Sequence, residues 1–202
     1  MSTTPTTEAA EVSGRALQSV LDGVTRTCGG FEARTLSLFE HNGLPEPKAD
    51  EWYPLGRYCG VYEDLLSTTG HNIVERIGVQ TARTAAWPRA VDGVGDALDA
   101  LDAVHRDRHR GGDVGGYEFT PTGERTGRLT CSTPYPVALE RGLVRGIGQR
   151  FGAETGFVAI EEHTRRGDSV TFDVQWWGAR EQAVRLGGRS DAIAGGHAPA
   201  DD

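Results

Sequence analysis

The sequence predicts an α+β fold: a helical N-terminal part packed on a four-stranded, mostly antiparallel sheet in β-β-α-β-β order, with one covering helix. Three observations carry this. Apolar residues recur at helical spacing through the first 112 residues. Strand-like runs then take over between 117 and 177, alternating most cleanly at 170–176. One amphipathic stretch at 134–152 separates the second run from the third. A sheet and a helix each have an apolar side to bury, and this order lets them bury it against each other.

The elements follow in turn. "GRALQSVLDGV" is a short amphipathic helix, and "FEARTLSLFEHNGL" a second, stopped by Asn42-Gly43 with Pro45 and Pro47 beyond. "ADEWYPLGRYCGVYEDLLSTTG" takes its start signals from Asp50 and Pro54. It carries Leu55, Tyr58, Cys59, Tyr62, Leu65 and Leu66 at helical spacing and ends at Gly70. "HNIVERIGVQTARTAAW" places Ile73, Val74, Ile77 and Thr81 on one stripe and stops before Pro88. "VDGVGDALDALDAVHRDRHRGG" has Asp92 as N-cap and basic residues in its last turns, both complementing the helix dipole, with Gly111-Gly112 as its stop. "GGYEFTPT" and "RLTCST" read as strands around the turn "TGERTG". "PYPVALERGLVRGIGQRFG" reads as the covering helix, and "GFVAIEEHT" and "SVTFDVQWW" as the last two strands. Residues 1–10 and 178–202 are polar or Gly/Ala/Asp-rich without periodicity and read as disordered tails. One domain at 11–177 remains, helical over 11–112 and sheet-forming over 113–177.

Composition bounds the function. Hydrophobic residues make up 37% of the 202, enough for a packed core, and the formal charge of −8 disfavours a phosphate-backbone partner, so no nucleic acid is expected. Lys48 is the only lysine, and the Arg-, Asp- and Gly-rich balance suggests a haloarchaeal, high-salt cytoplasm. Cys28, Cys59 and Cys131 form no Cys-x-x-Cys pair. No run approaches the roughly 18–20 apolar residues that span a bilayer, and "MSTTPTTEAAE" lacks a leader's character, so a cytoplasmic chain without membrane contact is expected.

The chemistry-bearing stretch is "HRDRHRGGDVGGYEF". His105 and His109 lie four apart, which on one helix face is metal-ligand spacing, with Cys131, His163, Asp107 or Asp113 as third ligand. The alternative is that both cap a helix C-terminus. "HRD" without the other kinase motifs carries no kinase reading. "GGDVGG" either cradles an anion or turns the chain, and the glycines of "GIGQRFG" permit close packing of a helix on the sheet. Cys131 falls on an apolar strand face. Trp52, Tyr53, Tyr58 and Tyr62 form an aromatic cluster, as core or as a pocket wall. Trp176 and Trp177 point to opposite faces.

Several of these pieces together resemble vinyl-reductase-like sensor domains and, more distantly, heme-nitric-oxide/oxygen-binding (H-NOX) domains. They are His109-Arg110-Gly111-Gly112 followed by Gly115 and Tyr117, then Pro134-Tyr135-Pro136 followed by Arg141-Gly142-Leu143, then the run from Gly167 to Trp176. The resemblance covers roughly residues 35–177 as scattered motifs. It implies helices over an α/β sheet that enclose a small-molecule or cofactor pocket used for sensing. It also departs from both groups. Where vinyl-reductase-like domains carry two cysteines, His163 and Val170 stand. His105 is placed for a proximal heme ligand, yet the following strand reads Cys131-Ser132-Thr133-Pro134-Tyr135, without the tyrosine and arginine that grip heme propionates. An unpaired propionate near the interior is costly, so heme is disfavoured and the cofactor is left unknown.

The expectation is therefore a ligand-sensing or binding domain without catalytic activity, since no complete catalytic constellation is present. The binding residues would be Tyr58, Tyr62, His109, Arg110, Tyr117, Cys131 and Tyr135, with a protein partner or a second copy receiving the signal. The alternatives are a heme or metal sensor using His105 or His109, and an adaptor that binds protein through its sheet edge or Trp177.

Overall fold

The computed structural model describes residues 9–27, 32–152, 157–167 and 169–177. The expected tails lie outside these residues, except that Ala9 and Ala10 belong to the described body and Ala10 is buried in it. Cys28 also lies outside.

Strand β1 (Glu11–Ser13) leads into helices α1 (Gly14–Thr27) and α2 (Glu32–His41). Strand β2 (Trp52–Pro54) then precedes helices α3 (Leu55–Thr69), α4 (His71–Thr84) and α5 (Val94–Asp107). Strand β3 (His109–Arg110) follows at once. The second half is β4 (Tyr117–Gly123), β5 (Thr126–Cys131), α6 (Val137–Phe151), β6 (Phe157–Arg166) and β7 (Ser169–Trp177). The expected four-stranded sheet is present and wholly antiparallel, in spatial order β4-β5-β7-β6. A second, small antiparallel sheet of order β2-β1-β3 is an addition to what the sequence predicted. Its strands are two or three residues long, too short to show alternation.

Two apolar clusters form the interior. In the helical one, Leu17, Val20, Phe39, Leu55, Val61, Tyr62 and Leu65 are buried together. In the other, Leu129, Cys131, Val170, Phe172 and Val174 on one sheet face meet Leu98 and Leu101 of α5 and Val144 and Ile147 of α6. Helices α4 and α6 contribute to both: Val74 and Ile77, then Leu139, to the first; Ala82, then Leu143, Val144 and Ile147, to the second.

The covering helix corrects one expectation. Of its glycines, Gly148 does face the sheet, where a Cβ would meet Val158. Gly142 and Gly146 face α4 instead: a Cβ on Gly142 would lie 2.0 Å from the Glu75 carbonyl oxygen, and one on Gly146 would lie 2.4 Å from that of Val79. Gly78 of α4 completes the seam, 2.3 Å from the Leu139 carbonyl by the same construction. Backbone meets backbone there because no side chain stands between.

The start of α5 corrects another. Its N-cap is Gly93, not Asp92, and makes no side-chain cap bond. At its other end the helix stops at Asp107, so His109 is not on the helix. Pairing of His109 with Val12 and of Arg110 with Glu11 draws the chain into the small sheet.

Candidate functional site: a tyrosine-lined cavity

Where the helical half meets the sheet lies a cavity of about 100 Å³ with a predominantly apolar lining. Its buried end is built by Tyr58 and Tyr62 of α3, His105 of α5, and Tyr135 from the loop before α6. His109, Tyr117, Leu139 and Leu143 complete it, and the partly buried Arg108 and Ser19 also line it. Five of the seven binding candidates from sequence, and the metal candidate His105, therefore converge on one space.

The other two do not. Arg110 is exposed, ion-paired to Glu11 at 2.6 Å and stacked over Trp52, with its guanidinium carbon 4.3 Å from the ring centroid. The register that pairs β3 with β1 turns it away from the cavity. Cys131 is buried in the sheet core opposite Val170 and does not line the cavity; burial holds its thiol well above the usual range. The aromatic cluster also divides, since Tyr53 bonds Glu51 and the Lys48 backbone at the surface while Tyr58 and Tyr62 go inside.

The hydrogen bonds at the buried end fix the protonation of each group. His105 places Nε2 3.1 Å from the Val114 carbonyl, which only accepts, so Nε2 carries the proton. Burial, reinforced by His109, lowers the His105 pKa from 6.5 to about 3, so the ring is neutral. His109 donates Nδ1–H to the His105 carbonyl at 2.7 Å, capping α5, and its neutral Nε2 accepts from the Tyr135 hydroxyl at 2.6 Å. Burial lowers its pKa too. The two imidazoles lie face to face, centroids 4.0 Å apart. The capping role weighed from sequence is the one His109 fills, although it does so from beyond the helix. The Tyr58 hydroxyl lies 3.4 Å from the Ala16 carbonyl, which only accepts, and 2.9 Å from the Tyr62 hydroxyl; with Tyr58 donating to Ala16, Tyr62 is the donor of the pair. Desolvation raises the pKa of Tyr58, Tyr62, Tyr117 and Tyr135, so all four stay neutral phenols.

One residue was missed from sequence. Glu140, on the first turn of α6, is buried, with Oε1 accepting from Tyr117 at 3.1 Å and, at very close range, from Thr133. Its Oε2 is buried without a partner. Burial raises its pKa from 4.5 to about 7, the two hydrogen bonds pulling the other way. Through Tyr117 this carboxyl supports the cavity wall. The signal was present: Glu140 falls on the stripe of Val144, Ile147 and Phe151, but an acid in a first helical turn also satisfies the helix dipole on the surface.

A wider cleft of about 490 Å³ lies on the other side of Tyr135. Of the charged side chains there, Arg141 and Arg165 are ion-paired to Glu162 and Glu75 to Arg145. It therefore presents fewer unmet charges than its lining suggests.

No known family's sequence profile matches the chain. No curated protein matches it either. Solved structures do. The H-NOX protein from S. oneidensis, as a mutant in the Fe(II) ligation state, superposes with a TM-score of 0.63 at 14% identity, over 82% of this chain and 96% of that one. The Fe(II) unliganded mutant of the K. algicida H-NOX protein gives 0.62 at 11% identity, over 84% and 99%. Helices laid over an antiparallel sheet, with a cavity at the junction, are thus an H-NOX-like fold.

The residues present do not fit a heme. An engineered apolar cavity of about 150 Å³ holds a benzene, and the cavity here, about 100 Å³, has no room for a four-pyrrole macrocycle. The His105 Nε2 proton is committed to Val114, and one face of its ring is covered by His109. The metal reading fares no better: among the described residues no group of three or more His, Cys, Asp or Glu side chains is assembled to hold a metal ion. His163, a suggested third ligand, is instead paired with Asp173 at 2.8 Å.

Proposed function

We propose that this chain is a ligand-sensing domain that uses an H-NOX-like fold without heme, binding a small neutral molecule in the tyrosine-lined cavity. The observation that carries the reading is the cavity itself: apolar walls, a few convergent polar groups, and no ionised group among its buried tyrosines and histidines. Occupancy would be read out by a protein partner or a second copy, because the site holds no activated nucleophile. Its phenols and imidazoles are spent on one another, on backbone carbonyls and, for Tyr117, on the Glu140 carboxyl.

The test uses protein produced in cells supplied with iron and heme. The expected preparation is colourless and metal-free, and its melting temperature rises in the presence of neutral single-ring compounds. An intense visible heme band in stoichiometric amount would overturn the heme-free reading. Absence of any thermal shift across a library of such compounds would overturn the ligand reading.

A further inference from the structure

The hydrogen-bond inventory of the cavity goes further than its size. Each neutral donor among the lining side chains already has an acceptor. Tyr58 gives its proton to Ala16, Tyr62 to Tyr58, and Tyr135 to His109. His105 gives its Nε2 proton to Val114 and His109 its Nδ1 proton to His105. Tyr117 donates to Glu140, Ser19 to Arg15, Thr81 to Ile77, and the Trp87 indole to Ala82. The one cation of the lining, Arg108, is partly buried and contacts Asp107 at 3.5 Å. What the buried end has left is lone pairs. Tyr62 stands at the end of a relay in which its hydroxyl feeds Tyr58 and Tyr58 feeds Ala16, and its own oxygen accepts nothing from the protein. A donor added there would lengthen the chain and strengthen each bond in it.

We propose that the cavity is selective for a neutral molecule of about one small ring that donates a hydrogen bond to the phenol oxygen of Tyr62. This rests on the reading of the cavity as a ligand site and adds the chemical class. A pure acceptor meets only other acceptors among the cavity's tyrosines and histidines, and an anion meets them with the added cost of leaving water.

Pyrrole, thiophene and furan test this, being rings of similar size. Pyrrole offers an N–H and no ring lone pair, thiophene neither donor nor strong acceptor, and furan an acceptor alone. Dissociation constants measured by calorimetry or ligand-observed NMR should rank pyrrole tightest, by roughly 3- to 10-fold over thiophene, the worth of one neutral hydrogen bond. Furan should be no better than thiophene. In the double variant Tyr58→Phe/Tyr62→Phe, which also removes the Tyr58 oxygen that loss of the Tyr62 hydroxyl alone would leave unmet, the preference for pyrrole should vanish while thiophene binding persists. That persistence also shows that the cavity has survived, and if the variant does not fold the wild-type ranking still decides. Thiophene or furan binding as tightly as pyrrole would overturn the selectivity and leave the ligand site standing. Pyrrole preference retained in that double variant would overturn the assignment to the Tyr62 end of the relay. If none of the three binds, the ligand site falls, and the selectivity with it.

Discussion

At the scale of single residues, two buried ionisable groups give stability opposite dependences on pH. Glu140 has a folded pKa of about 7 against 4.5 for a free glutamate, so between those values the native state holds a proton that the unfolded chain releases. Its contribution is fully present below pH 4.5 and is lost as pH rises to about 7, a total on the order of 3 kcal/mol. His105 runs the other way: its folded pKa of about 3 lies below the ordinary 6.5, so stability present above 6.5 is lost as pH falls toward 3. The two slopes oppose each other between 4.5 and 6.5. We expect a plateau there, with loss below it governed by His105 and loss just above it by Glu140. Urea denaturation across pH checks this. Glu140→Gln should remove the decline toward pH 7, and a decline unchanged in that variant would show that another group causes it.

At the scale of elements, the α4–α6 seam sets backbone against backbone. Gly142 lies so close to α4 that a methyl group would sit 2.0 Å from a backbone oxygen, which no side-chain movement relieves. Gly142→Ala should therefore cost roughly 1–3 kcal/mol or more, as overpacking does, despite the better helix propensity of alanine. Gly70→Ala, where a Cβ meets nothing, should show only the strain of its φ of 79°. Thermal denaturation of the two variants separates these causes. The elements also show what the sequence made legible. Each long helix and all four strands of the main sheet were readable, because periods of 3.6 and 2 persist over seven or more residues in most of them. The small sheet was not, since pairing of Val12 with both Tyr53 and His109 is decided by tertiary contact and leaves no period. The same pairing took His109 off the helix on which its spacing from His105 had placed it. The site was legible in part for a related reason. Tyr58 and Tyr62 share a helix face and point inward by rule, whereas the outward turn of Arg110 and the burial of Glu140 depend on elements far away in the chain.

At the scale of the whole molecule, the cavity sits where the two apolar clusters meet, and its walls come from both. Tyr58, Tyr62 and Leu139 belong to the helical cluster, while Leu101 and Leu143 belong to the cluster beneath the sheet. Helices α4 and α6 run through both. A ligand lodged there gains its contacts only while both halves are in place, so its binding free energy must stabilise them together. At a ligand concentration about 100 times the dissociation constant the gain is about 2.7 kcal/mol. Hydrogen exchange resolves where it appears. With pyrrole bound, amide protection should rise by a similar factor in α3, which lines the cavity, and in β5, whose Leu129 and Cys131 belong to the cluster beneath the sheet. A rise confined to α3 would mean that the sheet half opens independently of the helices. A matched rise in β5, which contributes no residue to the cavity lining, would mean that the helical half and the sheet open as one cooperative unit.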